Sequence, residues 1–149
     1  MRRVVHWYGL IAIWGIVGSA FSATILLRHG GVPTAVEVLM DVITALLLIA
    51  TGRAAKTAGA RPVGSGAVAG SIFGLLAGWP AFLAHITRAE MLQRLPGRSL
   101  PPDAVRMANS PAAHAAAWLT TIVVGVVAGI ILGFLGGLLS KQPSSELDV

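Results

Sequence analysis

The side chains best suited to chemistry form a polar row between positions 34 and 51. Thr34, Glu37, Asp41, Thr44 and Thr51 follow one another at intervals of three, four or seven residues. Side chains with this spacing lie on one face of an α-helix, and Glu37 and Asp41 are neighbours one turn apart. Carboxylates inside membranes bind cations and relay protons. The pattern therefore predicts a proton or cation site that comprises Glu37, Asp41 and Thr44.

The depth of Asp41 makes this hypothesis specific to a membrane. Asp41 is the ninth residue counted from Pro33, roughly 12 Å along the helix axis, which lies toward the middle of a bilayer. An ionised carboxylate that faces lipid at this depth costs roughly 3 kcal/mol. We therefore expect Asp41 to face other helices, to carry a proton or to have a partner. The alternative is a structural contact, in which Asp41 pairs with Ser19 or Ser22.

Three histidines provide a second candidate site. If four helices alternate in direction, His29, His85 and His114 lie on the same side of the membrane as Glu37 and Asp41. Imidazole and carboxylate groups bind divalent metals, and His85 with His114 would hold one haem between two helices. No known metal-binding motif is present, and hydrated or hydrogen-bonded histidines fit the sequence as well. We therefore predict no cofactor and keep haem or a divalent metal as the alternative.

The chain lacks the residue patterns of an enzyme. With 0 Cys, it has no thiol catalysis, cysteine-ligated zinc, iron–sulfur cluster or disulfide. Its serines form no recognisable arrangement with histidine and aspartate, and it has no phosphate-binding loop. We predict no catalytic residues and favour a non-enzymatic role. We attribute the formal net charge of +5 to loops beside lipid headgroups and predict no nucleic-acid partner.

The elements that must position these residues are membrane helices. Of 149 residues, 55% are hydrophobic and 11% are charged, and the mean hydropathy is +0.78. A water-soluble domain of this size has too much surface to conceal so many apolar side chains. A helix that crosses a bilayer needs about 20 apolar residues. Four stretches meet or nearly meet this length, and they cover positions 7–27, 33–51, 63–87 and 118–139.

We therefore predict an all-α integral membrane bundle of four transmembrane helices. The four spans are expected to form a single membrane domain over 1–149, with a loop at 88–117 and a short polar tail at 140–149. Pro80 is expected to kink the third span, because proline has no N–H for the helix. Ser110 before Pro111 predicts an N-cap, so the fourth helix should begin well before the bilayer.

Glycine rows mark the third and fourth spans. Four glycines in the third and three in the fourth recur every four residues, and they are Gly66, Gly70, Gly74, Gly78, Gly125, Gly129 and Gly133. Such rows form grooves that let two backbones approach closely, which drives helix association in lipid. The rows predict that these two helices pack tightly, against each other or against a copy of the chain. A pore-forming glycine zipper is the alternative.

Three functional hypotheses follow from these patterns. The first is a small polytopic membrane protein that acts through helix packing, as a homo-oligomer or as an accessory subunit of a membrane complex. The second is a proton- or cation-linked transporter or channel that uses Asp41 and Glu37. The third is a haem- or metal-binding membrane protein that uses His85 and His114. The expected partners are the lipid bilayer and a membrane protein, either another copy or a different chain.

The basic residues give a preferred orientation. Arg53, Lys56 and Arg61 lie in a short connection on the same side as the N-terminal Arg2 and Arg3. Because short cytoplasmic loops are enriched in Lys and Arg, we expect the N-terminus to be cytoplasmic. We predict a multi-pass protein of the plasma membrane.

Overall fold

The structure is a computed structural model that describes residues 2–27, 34–94, 97 and 99–140. The described residues are mostly helical and include no β-strand. A 3-10 turn at Trp79–Phe82 follows the third helix. The helices are α1 Arg2–Leu27, α2 Thr34–Thr57, α3 Pro62–Gly78, α4 Arg88–Arg94, α5 Ala104–Ala108 and α6 Pro111–Leu138.

Four segments are long and apolar enough to span a membrane. They are Val4–Ile25, Thr34–Thr57, Pro62–Phe82 and Pro111–Leu138. Their outer faces carry large apolar side chains that the rest of the chain leaves uncovered; Ile13, Leu46 and Val123 are 62%, 59% and 60% exposed. Lipid tails solvate such surfaces, whereas water does not. The predicted fold class is confirmed: the protein is all-α, with four helices suited to a membrane by length and composition.

The four long helices form an up-down-up-down bundle with α2 and α3 as the central pair. α2 and α3 pack on each other, and each also packs on α1 and on α6. Trp14 and Gly18 of α1 lie beside Thr44 and Met40 of α2 in reverse order, so α1 and α2 are antiparallel. Ile11 and Gly15 of α1 lie beside Ala69 and Leu76 of α3 in the same order, so α1 and α3 run parallel. One buried cluster joins Ile11, Leu48 and Ala69 from three different helices.

α2 is longer than the span predicted from the sequence, which ended at position 51. The helix continues for a further turn and a half because Gly52 packs directly on the backbone of Gly133 in α6. A Schellman motif then ends it, with Gly59 in the left-handed region at φ 72°. The N–H of Ala60 donates to the carbonyl of Ala55 over 2.8 Å. The connection to α3 is therefore a tight turn rather than the longer loop expected.

Pro80 ends the third helix sooner than the sequence suggested. The predicted span continued to position 87, whereas α3 ends at Gly78 and only the 3-10 turn follows. The ring of Pro80 clashes with the preceding turn and offers no N–H, so a regular α-helix stops here. The indole Nε1 of Trp118 donates to the carbonyl oxygen of Leu75 over 3.1 Å. This bond supports a helix end whose last carbonyls lack partners within the helix.

Much of the segment predicted as a loop, 88–117, is helical. It contains α4, α5 and the first two turns of α6. α6 begins at Pro111, and the side chain of Ser110 accepts a hydrogen bond from the N–H of Ala113 over 3.2 Å. The N-cap predicted at Ser110 is confirmed. Positions 141–149 of the predicted tail lie outside the described residues.

Candidate functional site: an acidic cavity between three helices

The acidic pair of α2 lines a cavity between α1, α2 and α3. Glu37 lies in the first turn of α2, where its charge complements the positive end of the helix dipole. Asp41 lies one turn further on, about 10 Å from the start of α2. The cavity has a volume of about 380 Å³. Ser22 and Phe21 of α1 and Phe73 of α3 form its other walls. We call it the acidic cavity.

The two carboxylates have no partner among the residues that the structure describes. Within the part of the chain that the structure describes, neither Glu37 nor Asp41 has a hydrogen bond or an ion pair to a side chain, and both side chains are exposed. The hydroxyl of Ser19 donates to the carbonyl of Ile16 over 2.9 Å instead. Ser22 lines the same cavity but forms no hydrogen bond with Asp41. The structural contact expected as the alternative is therefore not formed among these residues.

Thr44 has a different role from its acidic neighbours. Its hydroxyl accepts a hydrogen bond from the indole Nε1 of Trp14 over 3.0 Å and donates to the carbonyl of Met40 over 2.8 Å. The bond from Trp14 joins α1 to α2 about one turn from Asp41. Trp14 did not emerge from the sequence patterns. The sequence feature that could have identified Trp14 is its position in the middle of an apolar span. An indole N–H there must find an acceptor inside the protein.

A second cavity meets the first at Asp41. This inner cavity, of about 250 Å³, lies between α2, α3 and α6, and Asp41 and Phe73 line both cavities. Thr44 and Leu48 of α2 and Thr121 of α6 also line it. The two cavities therefore surround Asp41 on both sides of the seam between α2 and α3.

Glycines bring α2 close to α6 at the end of the bundle away from the acidic cavity. At this end, Gly52 and Gly136 bring the backbones of α2 and α6 into direct contact. Toward its N-terminal end, α2 packs on α1 through the larger Met40, whose Cε lies 2.9 Å from a methyl group built on Gly18. Val38 and Leu39 face away from the bundle and are 55% and 57% exposed. The space beside Asp41 lies at this end of α2.

The seven glycines of the predicted rows lie along the interface between α3 and α6. Each residue of one row faces backbone or side-chain atoms of the other helix, and the row consists of Gly66, Gly70, Gly74, Gly78, Gly125, Gly129 and Gly133. A methyl group built on Gly125 would lie 2.5 Å from the carbonyl oxygen of Gly70. Only hydrogen fits at such a distance. The glycine rows are thus used within one chain.

The predicted histidine cluster is not assembled among the described residues. His85 is exposed on the segment after the 3-10 turn, and the ring of His114 lies 6.3 Å from that of Phe82. No group of three or more His, Asp or Glu side chains suited to a metal occurs in the described ranges. His29 lies outside the described residues. The haem or divalent-metal alternative stays a prediction.

Asn109 anchors the segment that carries His85, and the sequence patterns did not single it out. Its Oδ1 accepts from the N–H of Ile86 over 2.8 Å, and its Nδ2 donates to the carbonyl of Ile86 over 2.8 Å. Nδ2 also donates to the carbonyl of Val105 over 2.9 Å. The Asn109 side chain therefore satisfies both the N–H and the carbonyl of Ile86, as the backbone of a neighbouring β-strand would. The sequence feature that could have identified Asn109 is its position directly before the N-cap residue Ser110.

The fold and the cavity define the class of the protein: an all-α membrane protein with four candidate spans and an acidic cavity between three of them. Comparison of the chain with protein-family models, with curated proteins and with solved structures gave no match.

Proposed function

We propose that this protein binds a proton or a small cation at Glu37 and Asp41 as part of proton- or cation-linked transport. One observation carries the proposal: two neighbouring carboxylates, on a helix long and apolar enough to span a membrane, line one cavity and have no partner within the described residues. An ionised carboxylate inside a membrane costs a few kcal/mol, roughly 3, unless it is compensated. A proton or a monovalent cation supplies that compensation.

The shape of the bundle supports access from one side. The acidic cavity lies toward the N-terminal end of α2, and the inner cavity continues from Asp41 as far as Leu48. Beyond Leu48, the buried core and the contact between Gly52 and Gly133 close the bundle. A path that reaches an acidic residue from one side and stops at a closed seam is the arrangement expected for alternating access.

The proposal is tested by flux into liposomes that contain the purified protein. We expect Asp41→Asn to abolish cation-dependent proton movement and Glu37→Gln to reduce it, because each change removes a charge from the cavity. Asp103→Asn removes one charge from an exposed position away from the cavity, where Asp103 pairs with Arg106, and should leave flux unchanged. Absence of flux in the unmodified protein, or equal flux in Asp41→Asn, would contradict the proposal.

A second candidate is a role as a homo-oligomer or as an accessory subunit of a membrane complex. The glycine rows no longer support it, since they are occupied within the chain. The low burial of α2 supports it instead. Of the most apolar stretch of α2, 17% is buried, against 39% for the span that contains α3. The helix that carries the acidic pair is therefore the one with most surface free for a partner.

Cross-linking at α2 tests this second candidate. Because the chain has 0 Cys, Leu46→Cys introduces a single thiol at a side chain that is 59% exposed. If α2 forms the interface, oxidation in native membranes should join Leu46→Cys to a copy of the chain or to a second membrane protein. Ile131→Cys, on the exposed face of α6, is the matched control. Equal products from both positions, or none from either, would contradict an α2 interface.

We further propose the plasma membrane as the location, with the N-terminus in the cytoplasm. Arg53, Lys56 and Arg61 support this orientation because they lie at the end of the bundle to which the N-terminus of α1 belongs.

A further inference from the structure

A groove lined by basic residues lies near the end of the bundle where Gly52 packs on Gly133, far from the acidic cavity. It lies where α2 turns into α3, beside the C-terminal end of α6, and has a volume of about 340 Å³. Lys56 and Arg61 line one side, and Val63, Phe134 and Leu138 line the other. We call it the basic groove.

The charge of the basic groove is not neutralised by the described residues. Lys56 and Arg61 are exposed and have no ion-pair partner in the described ranges. Arg53 lies one turn before Lys56 and adds to the positive charge. The acidic residues that the structure describes lie elsewhere, at Glu37, Asp41, Glu90 and Asp103. The groove is therefore complementary to an anion.

The start of α3 adds to this attraction. Arg61 is the N-cap residue, but its side chain forms no capping hydrogen bond. The first backbone N–H groups of a helix lack partners within the helix and carry a partial positive charge. An anionic group held between Lys56 and Arg61 would lie next to these N–H groups, which favours phosphate in particular.

The opposite wall of the groove is apolar and uncovered. Val63, Phe134 and Leu138 are 41%, 51% and 65% exposed. All three belong to the segments suited to a membrane span. The groove thus joins a cationic edge at the bilayer boundary to an apolar wall within the bilayer.

We propose that the basic groove binds one anionic phospholipid. The phosphate lies between Lys56 and Arg61 at the start of α3, and an acyl chain extends along Val63, Phe134 and Leu138. A phospholipid matches both the charge and the apolar wall, whereas free phosphate uses only the charged edge. The surrounding bilayer also supplies lipid directly to a groove at this depth.

Lipid binding to the full chain tests this proposal. The protein in neutral detergent is titrated with phosphatidylglycerol or phosphatidylcholine, and bound lipid is counted by native mass spectrometry. We expect preference for phosphatidylglycerol and about thirtyfold weaker binding after Lys56→Gln with Arg61→Gln, since each basic residue contributes about 1 kcal/mol and 1.4 kcal/mol is tenfold. Arg88→Gln with Arg106→Gln removes the same charge elsewhere and should have no effect.

Two further comparisons separate a lipid from other occupants. Leu138→Ala should weaken lipid binding, whereas Leu119→Ala, on an exposed leucine of the same helix, should not. The charge-preserving variant with Lys56→Arg and Arg61→Lys should retain binding, which separates loss of charge from loss of fold. Equal binding by the Lys56→Gln, Arg61→Gln variant, or equal competition by glycerol phosphate without acyl chains, would overturn the proposal. So would lipid binding that appears only after removal of positions 141–149, because the chain's own tail would then be the occupant.

Discussion

The contact between Gly70 and Gly125 shows how closely α3 and α6 approach. A methyl group on Gly70 would overlap the carbonyl oxygen of Gly125. A backbone carbonyl cannot rotate aside as the end of a long side chain does, so any side chain at this position must separate the two helices. In lipid, where apolar burial does not drive helices together, this separation removes the main source of association.

We predict that Gly70→Ala destabilises the protein by about 1–3 kcal/mol, the usual cost of overpacking. The measurement is the unfolded fraction during titration with sodium dodecyl sulfate in mixed micelles. Gly9→Ala is the matched control, because no atom of another helix lies within 4 Å of a methyl group built there. Alanine has the higher helix propensity by about 1 kcal/mol, so the control should be as stable as the unmodified chain or more stable. A similar loss in both variants would contradict the packing argument.

At the residue scale, the sequence predicts which side chains share a helix face better than it predicts their partners. The spacing of Glu37 and Asp41 places them on one helix face, and the structure has them on one cavity. The bond between Trp14 and Thr44 joins residues 30 positions apart. No periodic pattern encodes such a pair, because it depends on how α1 and α2 are docked.

At the scale of elements, Asn109 connects three segments of the chain. Its amide satisfies both backbone groups of Ile86 and the carbonyl of Val105. It thereby joins the end of the 3-10 region to α5 and to the start of α6. An unpaired polar group at such a position costs about 1–3 kcal/mol.

We predict that Asn109→Asp releases this connection. The aspartate keeps the oxygen that accepts from the Ile86 N–H, but it replaces a donor with a second oxygen beside the carbonyls of Ile86 and Val105. Amide hydrogen exchange should therefore become faster at residues 84–87 and remain unchanged in the middle of α6. Unchanged exchange at Ile86 would show that the amide donor does not hold the segment.

Helix ends were predictable where a local motif sets them. Ser110 and Pro111 form such a motif, and α6 begins there. The end of α2 was not predictable, because Gly52 resembles a loop residue until its contact with Gly133 is known. Pro80 marked a disruption correctly, yet the sequence did not reveal that the regular α-helix ends at Gly78 and gives way to a 3-10 turn. These differences reflect tertiary contacts that override local preference.

At the scale of the whole molecule, the basic groove and the acidic cavity lie toward opposite ends of the bundle. The orientation of the bundle therefore decides which side of the membrane each one faces. If the N-terminus is cytoplasmic, the turn between α2 and α3 faces the cytoplasm, and the segment with α4 and α5 faces outward. The acidic cavity would then open toward the outside, and the basic groove would meet the inner leaflet.

We predict that single thiols at the two ends react from opposite sides. Met107→Cys, at a position 67% exposed, should react with a membrane-impermeant maleimide in intact cells. Ala58→Cys, in the exposed turn after α2, should react only after permeabilisation. The chain has 0 Cys, so any label on the purified chain reports the introduced thiol. The reverse pattern would invert the proposed orientation.

The pairing of α3 with α6 also has a consequence for biogenesis. α6 is the last of the four long helices to leave the ribosome. During synthesis the N-terminal parts of a chain fold first. Until α6 enters the bilayer, the glycine face of α3 has no counterpart, so a nascent chain with three inserted helices is an incomplete assembly. Membrane insertase or chaperone contacts should therefore persist until α6 has entered the bilayer, and premature termination before Pro111 should yield a product that the cell degrades.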